Sequence, residues 1–311
     1  MENKTIYWHI PGLCYFGMIN HIMLDAMQKF PSKFRDNYKI ASCYGSFPGA
    51  IWNGGRNMIA GFSSKPEVEQ VIKSYNQRGI PARFTWTNVL LEEKHVYDTY
   101  CNMIMKAGDN GMNQVLVNRP CLEDYIRKEY PRYKLISSTT KRILNTDDIL
   151  RELDKGYFLV VLDYDLNHNE KVIEKILPYA DKIEILVNET CMPGCPKRSE
   201  HYVEIARHQL EFDPTIKFPC ADTSPDKRTF AKTMTRPTFM TNDDVKRYSE
   251  MGFKNFKIVG RGNTKQFLID SYIYYLVKED SQDFIRNLIM GTLFKITGKP
   301  LSETDSETIR R

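Results

Sequence analysis

No run in this 311-residue chain is long and apolar enough to cross a bilayer, where a helix needs about 20 apolar residues in succession. Residues 1–30 lack the basic start, apolar stretch and small-residue cleavage site of a signal peptide, and they carry Asp25. The seven cysteines are an odd number for a disulfide framework and fit a reducing compartment better. Together these absences predict a cytoplasmic protein with no membrane partner. Phosphate-binding signatures are missing as well. Gly54-Gly55-Arg56 and Gly260-Arg261-Gly262 match neither the Walker A loop nor the dinucleotide fingerprint. Gly45-Ser46-Phe47-Pro48-Gly49 does not set a serine nucleophile in G-x-S-x-G. There is no internal repeat and no low-complexity tract. The net charge of +5 permits an RNA or phosphate partner without arguing for one.

What the chain does have is a cysteine turn. Val187-Asn188-Glu189-Thr190-Cys191-Met192-Pro193-Gly194-Cys195-Pro196-Lys197-Arg198 comes directly after an apolar run from Ile183 to Val187. Pro and Gly between two thiols make a turn that can aim both sulfurs at one point. A third thiol, Cys220, comes after an amphipathic segment. Thiolates are soft ligands, so Cys191, Cys195 and Cys220 read as a metal site, an iron–sulfur cluster or zinc. The plainer reading is three free thiols packed as small hydrophobes. His201, six residues beyond Cys195, is a candidate fourth ligand, although such a histidine is more often a surface or core residue. The C-x3-C-x2-C pattern of radical-SAM chemistry is not met, because Lys197 and Arg198 come after Pro196.

Strand-like and helix-like segments alternate along most of the length. The strand-like runs are 38–44, 82–87, 114–118, 133–137, 157–163, 183–188 and 255–259, with a weaker candidate at 229–235. Short apolar strands separated by helices imply a parallel sheet covered on both faces. Their number predicts an α/β fold of the (βα)8 TIM-barrel type, with a doubly wound open sheet as the competitor. The expected organisation is an N-terminal extension over 1–37, a barrel over 38–298 and a polar tail over 299–311. The irregular stretch 213–237, with Cys220 inside it, reads as a loop folded over the site.

In a barrel, reactive groups stand just past the C-terminal ends of the strands. Cys43, Thr87, Asn88, Asn118, Arg119, Ser137, Asp163, Asp165, Asn188, Glu189, Cys191, Gly260 and Arg261 fall there. Asp163 and Asp165 are candidates for acid–base work or cation binding, or simply for helix capping. Arg261 beside a glycine suits a bidentate grip on a carboxylate or phosphate, with a structural salt bridge as the alternative. Tyr272, Tyr274 and Tyr275 read as packing residues rather than a base-stacking platform.

Phe256-Lys257-Ile258-Val259-Gly260-Arg261, preceded by Asp243-Asp244 and Met251-Gly252-Phe253, resembles the "FKIEGR" ending of the U-32 collagenase-like peptidase family. Val160-Val161-Leu162-Asp163 and Ile183–Asn188 are similar to its paired strands before a cysteine cluster, and Ser137-Ser138-Thr139 to its "STQ" strand end. The resemblance covers roughly residues 38 to 278. It implies a TIM barrel holding a [4Fe–4S] cluster, and an oxygen-independent hydroxylation of quinone precursors or RNA bases in better understood members. Carried over, Cys191, Cys195 and Cys220 occupy the cluster region, with Cys43 as fourth ligand and Cys121 as its alternative. Val259 replaces the usual Glu, and Asn188-Glu189 stands where His-Gly is common. Cys195 also lacks the Cys-Arg pair that usually comes next, so the family's substrates do not transfer.

The resulting expectation is an iron–sulfur barrel enzyme that modifies a small molecule or a nucleic-acid base, with a protein partner for electron transfer. Asp163, Glu189 and Arg261 would orient substrate or move protons. A zinc-dependent hydrolase or peptidase, with Glu189 as base, is the second reading. A non-catalytic subunit that carries a cluster for stability is the third.

Overall fold

The apolar strand runs pair in chain order and close on themselves. In the computed structural model, which describes residues 4–54, 59–215, 218–260 and 262–301, eight strands form one barrel. They are β1 (Ile6–Pro11), β2 (Tyr38–Gly45), β3 (Ala82–Trp86), β4 (Gln114–Val117), β5 (Lys134–Ser137), β6 (Leu159–Val161), β7 (Ile183–Leu186) and β8 (Asn255–Lys257). Every neighbouring pair is parallel, and β8 closes the ring on β1.

Two expectations need correction. Residues 1–37 are not an extension outside the barrel: they supply β1 and α1 (Gly17–Lys29), and β1 pairs with both β2 and β8. The weak strand candidate at 229–235 is the short helix α8 (Phe230–Met234), because Thr229 caps it by accepting from the Lys232 amide. Of the 299–311 tail, residues beyond 301 lie outside the described ones.

Helices on the outside return the chain to the start of each next strand. Besides α1 they are α2 (Lys65–Asn76), α3 (Thr99–Gly108), α4 (Pro120–Glu129), α5 (Thr146–Leu153), α6 (Glu170–Ile176), α7 (Arg198–Glu211) and α9 (Asn242–Met251), while α10 (Lys265–Leu276) and α11 (Gln282–Thr297) come after β8. Starts are marked chemically: Ser64 and Glu67 form a capping box on α2, as Thr241 and Asp244 do on α9. The main core lies between barrel and helices, with Trp8, Trp86 and Tyr275 fully buried. Among the described residues, no helix is long and apolar enough to cross a membrane.

Strand alternation sends every second side chain inward, and the lumen divides in two. One side is apolar: Leu116, Ile136, Leu159, Val161, Leu186 and Val259 pack together. The other is charged. Arg83 on β3 reaches across the lumen to Glu184 on β7, and it also donates to Gln114 Oε1 (2.8 Å) and lies 2.8 Å from His9 Nδ1. Lys257 Nζ stands 3.4 Å from Glu184 and 4.3 Å from the centroid of the Tyr44 ring. Burial and the adjacent Arg83 charge lower the His9 imidazole to about 3, so it is neutral. Burial alone would raise the Glu184 carboxyl, but Arg83, His9 and Lys257 hold it down to about 2. This network occupies the charged side of the lumen.

Candidate functional site

The mouth is built from the loops that leave β5, β6 and β7. Asp163 ends the β6 segment and is buried. Its Oδ1 accepts from the Asp165 amide at 3.1 Å, so it caps the turn Tyr164–Leu166. Both Asp163 oxygens also accept from Arg142 Nη1, at 2.7 and 2.6 Å. Arg142 Nη2 donates to Asp165 Oδ2 at 2.9 Å. Arg142 takes the left-handed conformation (φ 55°), which turns it back over the strand ends. Burial raises the Asp163 carboxyl above its ordinary range, and Arg142 opposes that rise without cancelling it.

A second pair stands beyond β7. Glu189 Oε1 accepts from the Cys191 amide at 3.1 Å, and its Oε2 accepts from Arg198 Nη2 at 3.3 Å. Arg198 is the first residue of α7, only 2% exposed, and donates through Nε to the Tyr202 hydroxyl at 2.8 Å. Its Nη1 is buried with no partner. Both arginines lie on Tyr164: the guanidinium carbon of Arg198 is 4.6 Å from the ring centroid and that of Arg142 is 5.8 Å. Tyr164 packs in turn on the apolar half of the lumen, where Cys191 also rests. The mouth therefore holds two carboxylate–arginine pairs around one aromatic ring, directly above an apolar floor. Beside them a groove of about 1040 Å³ runs past Arg142, Asp165, Gly194 and Cys195.

Other expected site residues act as ties. Asn188 accepts from the Val259 amide (2.7 Å) and donates to Ser271 (3.0 Å). Asn88 donates to the Ile51 and Ala206 carbonyls, and Arg119 to the Leu91 carbonyl. Tyr272 and Tyr275 are buried packing residues bonded to Asn20 and to the Met240 carbonyl. Arg261 lies outside the described residues.

The thiols occupy the loops around α7. Cys191 and Cys195 precede it, and the Asp165 carboxylate holds their turn by accepting from the Gly194 amide at 3.0 Å. The Cys220 loop packs on the start of the helix. Phe218 stacks flat on His201, with centroids 4.6 Å apart, and Lys197 Nζ stands 3.5 Å from the Pro219 carbonyl. Three soft donors thus come to one end of the barrel, yet among the described residues no three His, Cys, Asp or Glu side chains are gathered as a metal-holding group. As arranged, they do not fit a cluster or a zinc ion.

Cys43 is corrected outright as the fourth ligand. Its neighbours Ser42 and Tyr44 face the lumen, so Cys43 faces the helices, 3.3 Å from Asn20 Nδ2, and burial pushes its thiol up to about 12. Cys121 lies on α4, its thiol directed to the Leu91 carbonyl at 3.6 Å, three strands round the barrel from β7.

Arg142, Tyr164, Arg198 and Tyr202 were not among the expected site residues. The signal for Arg198 is positional: a first-turn helical side chain points back toward the preceding loop, here the cysteine turn. Arg142 carries no periodic signal at all.

The solved structure of the U32 peptidase Mk0906 superposes with a TM-score of 0.50 and 13% identity, over 85% of this chain and 95% of that one. The chain has the fold of a U32 peptidase. No family model matches the sequence, and no curated protein matches it. At this identity, the likeness to the U32 peptidase is one of architecture. It covers the barrel and agrees with the resemblance seen in the strand-end motifs.

Proposed function

We propose that this chain is a U32 peptidase-like barrel enzyme that modifies a small molecule or a nucleic-acid base at the C-terminal mouth. One observation carries the reading. The Asp163–Arg142 and Glu189–Arg198 pairs flank Tyr164 over an apolar floor, beside an open groove. The raised Asp163 carboxyl suits proton transfer near neutral pH better than an ordinary aspartate does. Arg142 and Arg198 offer fixed positive charge where negative charge develops on a substrate.

An iron–sulfur cluster on Cys191, Cys195 and Cys220 would require their three sulfurs to converge. No step of the reaction is assigned to it. Iron analysis after anaerobic purification decides the matter: cluster-held iron is retained in Cys14→Ala and lost in Cys195→Ala. Zinc in place of iron would favour the hydrolase reading.

The experiment for the main reading compares cells expressing the wild-type chain, Asp163→Asn or Glu189→Gln. Mass spectrometry is run on their metabolites and on nucleosides from their RNA. A modified species present only with the wild-type chain is the expected result. Identical profiles would sink the proposal. A peptidase activity has one support, the name carried by the structural neighbour. Cleavage of casein or gelatin by the wild-type chain and not by Glu189→Gln would favour it.

A further inference from the structure

A second cavity, of about 790 Å³, opens at the other end of the barrel, between α9 and the segments that enter β1 and β2. Its wall contains Arg35, one edge of which has no acceptor. Arg35 is anchored by its own amide, which donates to the Leu276 carbonyl at 2.9 Å. Its Nε and Nη2, the two parallel donors of one guanidinium edge, are nevertheless buried with no hydrogen-bond partner. Asn242, on the first turn of α9, lines the same cavity. Its Nδ2 donates to the Tyr274 carbonyl at 3.0 Å, while its Oδ1 is buried with no partner. An orphaned buried group is costly in a folded protein, and two residues on one cavity wall that each carry one call for a ligand that answers both.

The orphans are of opposite kind. A paired N–H edge matches a carboxylate in bidentate fashion, and a lone amide oxygen needs a donor. The remaining lining says the same about charge. Lys4, Lys246 and Lys278 are set against Asp36, Asp243, Glu250 and Glu279, so with Arg35 the acids and bases are equal in number. Lys278 is already paired with Asp36 at 3.1 Å. Such a wall repels a dianion and accepts a zwitterion.

We propose that this cavity binds an α-amino acid, its carboxylate on the Arg35 edge and its ammonium on Asn242 Oδ1. The site lies apart from the mouth, and its occupant would be an effector rather than the substrate. Filling it would tie α9 to the segments leading into β1 and β2, beside the seam where β8 closes on β1.

Saturation-transfer NMR on the full chain tests this with the standard amino acids, and with acetate, ethylammonium and inorganic phosphate as partial probes. At least one amino acid is expected to bind, with acetate and ethylammonium each weaker. Arg35→Gln and Asn242→Leu should each weaken binding about tenfold or more, as the loss of one charge-assisted contact implies. Arg35→Lys keeps the charge and loses the edge, so it should weaken binding as well and serves where Arg35→Gln does not fold. The proposal is overturned if no amino acid binds, if phosphate alone binds, or if the folded variants bind as the wild type does.

Discussion

The guanidinium of Arg198 lies 4.6 Å from the Tyr164 ring centroid while its Nη2 holds Glu189 at 3.3 Å, so one buried cation joins the β6 and β7 ends of the mouth. Removing it leaves Glu189 charged and buried. Arg198→Ala is expected to cost about 3–5 kcal/mol, read from urea unfolding. Arg198→Lys, which keeps charge but not the planar stack, should recover only part of that. An unchanged midpoint in Arg198→Ala would mean that the pair does not hold the mouth together.

Asp163 should titrate above the ordinary aspartate value of 3.8, because burial outweighs the nearby Arg142. Carboxyl-carbon NMR on the labelled protein measures this directly. Arg142→Gln removes the opposing charge and should move the titration further up. A downward move would show that Arg142 is not the partner that restrains it.

The lumen network makes the fold acid-labile. His9 is held neutral, at about 3 against 6.5, so below pH 6.5 the unfolded chain binds a proton that the folded one refuses. Glu184, at about 2 against 4.5, works in the same direction. Stability should therefore fall as pH drops from about 6.5, and more steeply below about 4.5. His9→Gln should flatten the upper part of that fall in urea midpoints taken against pH. A profile as steep as the wild type's would assign the upper part to other groups.

Gly260 packs its Cα against Pro11, where the ends of β8 and β1 meet, and a Cβ there would stand 2.4 Å from the proline Cγ. Gly260→Ala should destabilise by about 1–3 kcal/mol through overpacking at the closing seam. Gly298, whose added Cβ meets nothing within 4 Å, is the comparison, with a smaller cost from its φ of 66°. Equal losses at both would locate the effect in the backbone conformation rather than in the seam.

Seven strands and the parallel barrel were legible along the chain, because each strand buried on both faces reads as a short apolar run and helical spacing lies between the runs. The cysteine turn and the acidic strand ends at Asp163 and Glu189 were legible as well, being local patterns. β1 was not. Ile6–Pro11 is interrupted by His9 and ends on a proline, and it is a strand because β2 and β8 offer edges on either side. The direction of Cys43 came only from the register of β2. Arg83 and Glu184 meet although 101 positions separate them, and Arg142 finds Asp163 from a loop without periodicity. Charges in a barrel pair across space, and their partners are set by strand order and closure rather than by spacing along the chain.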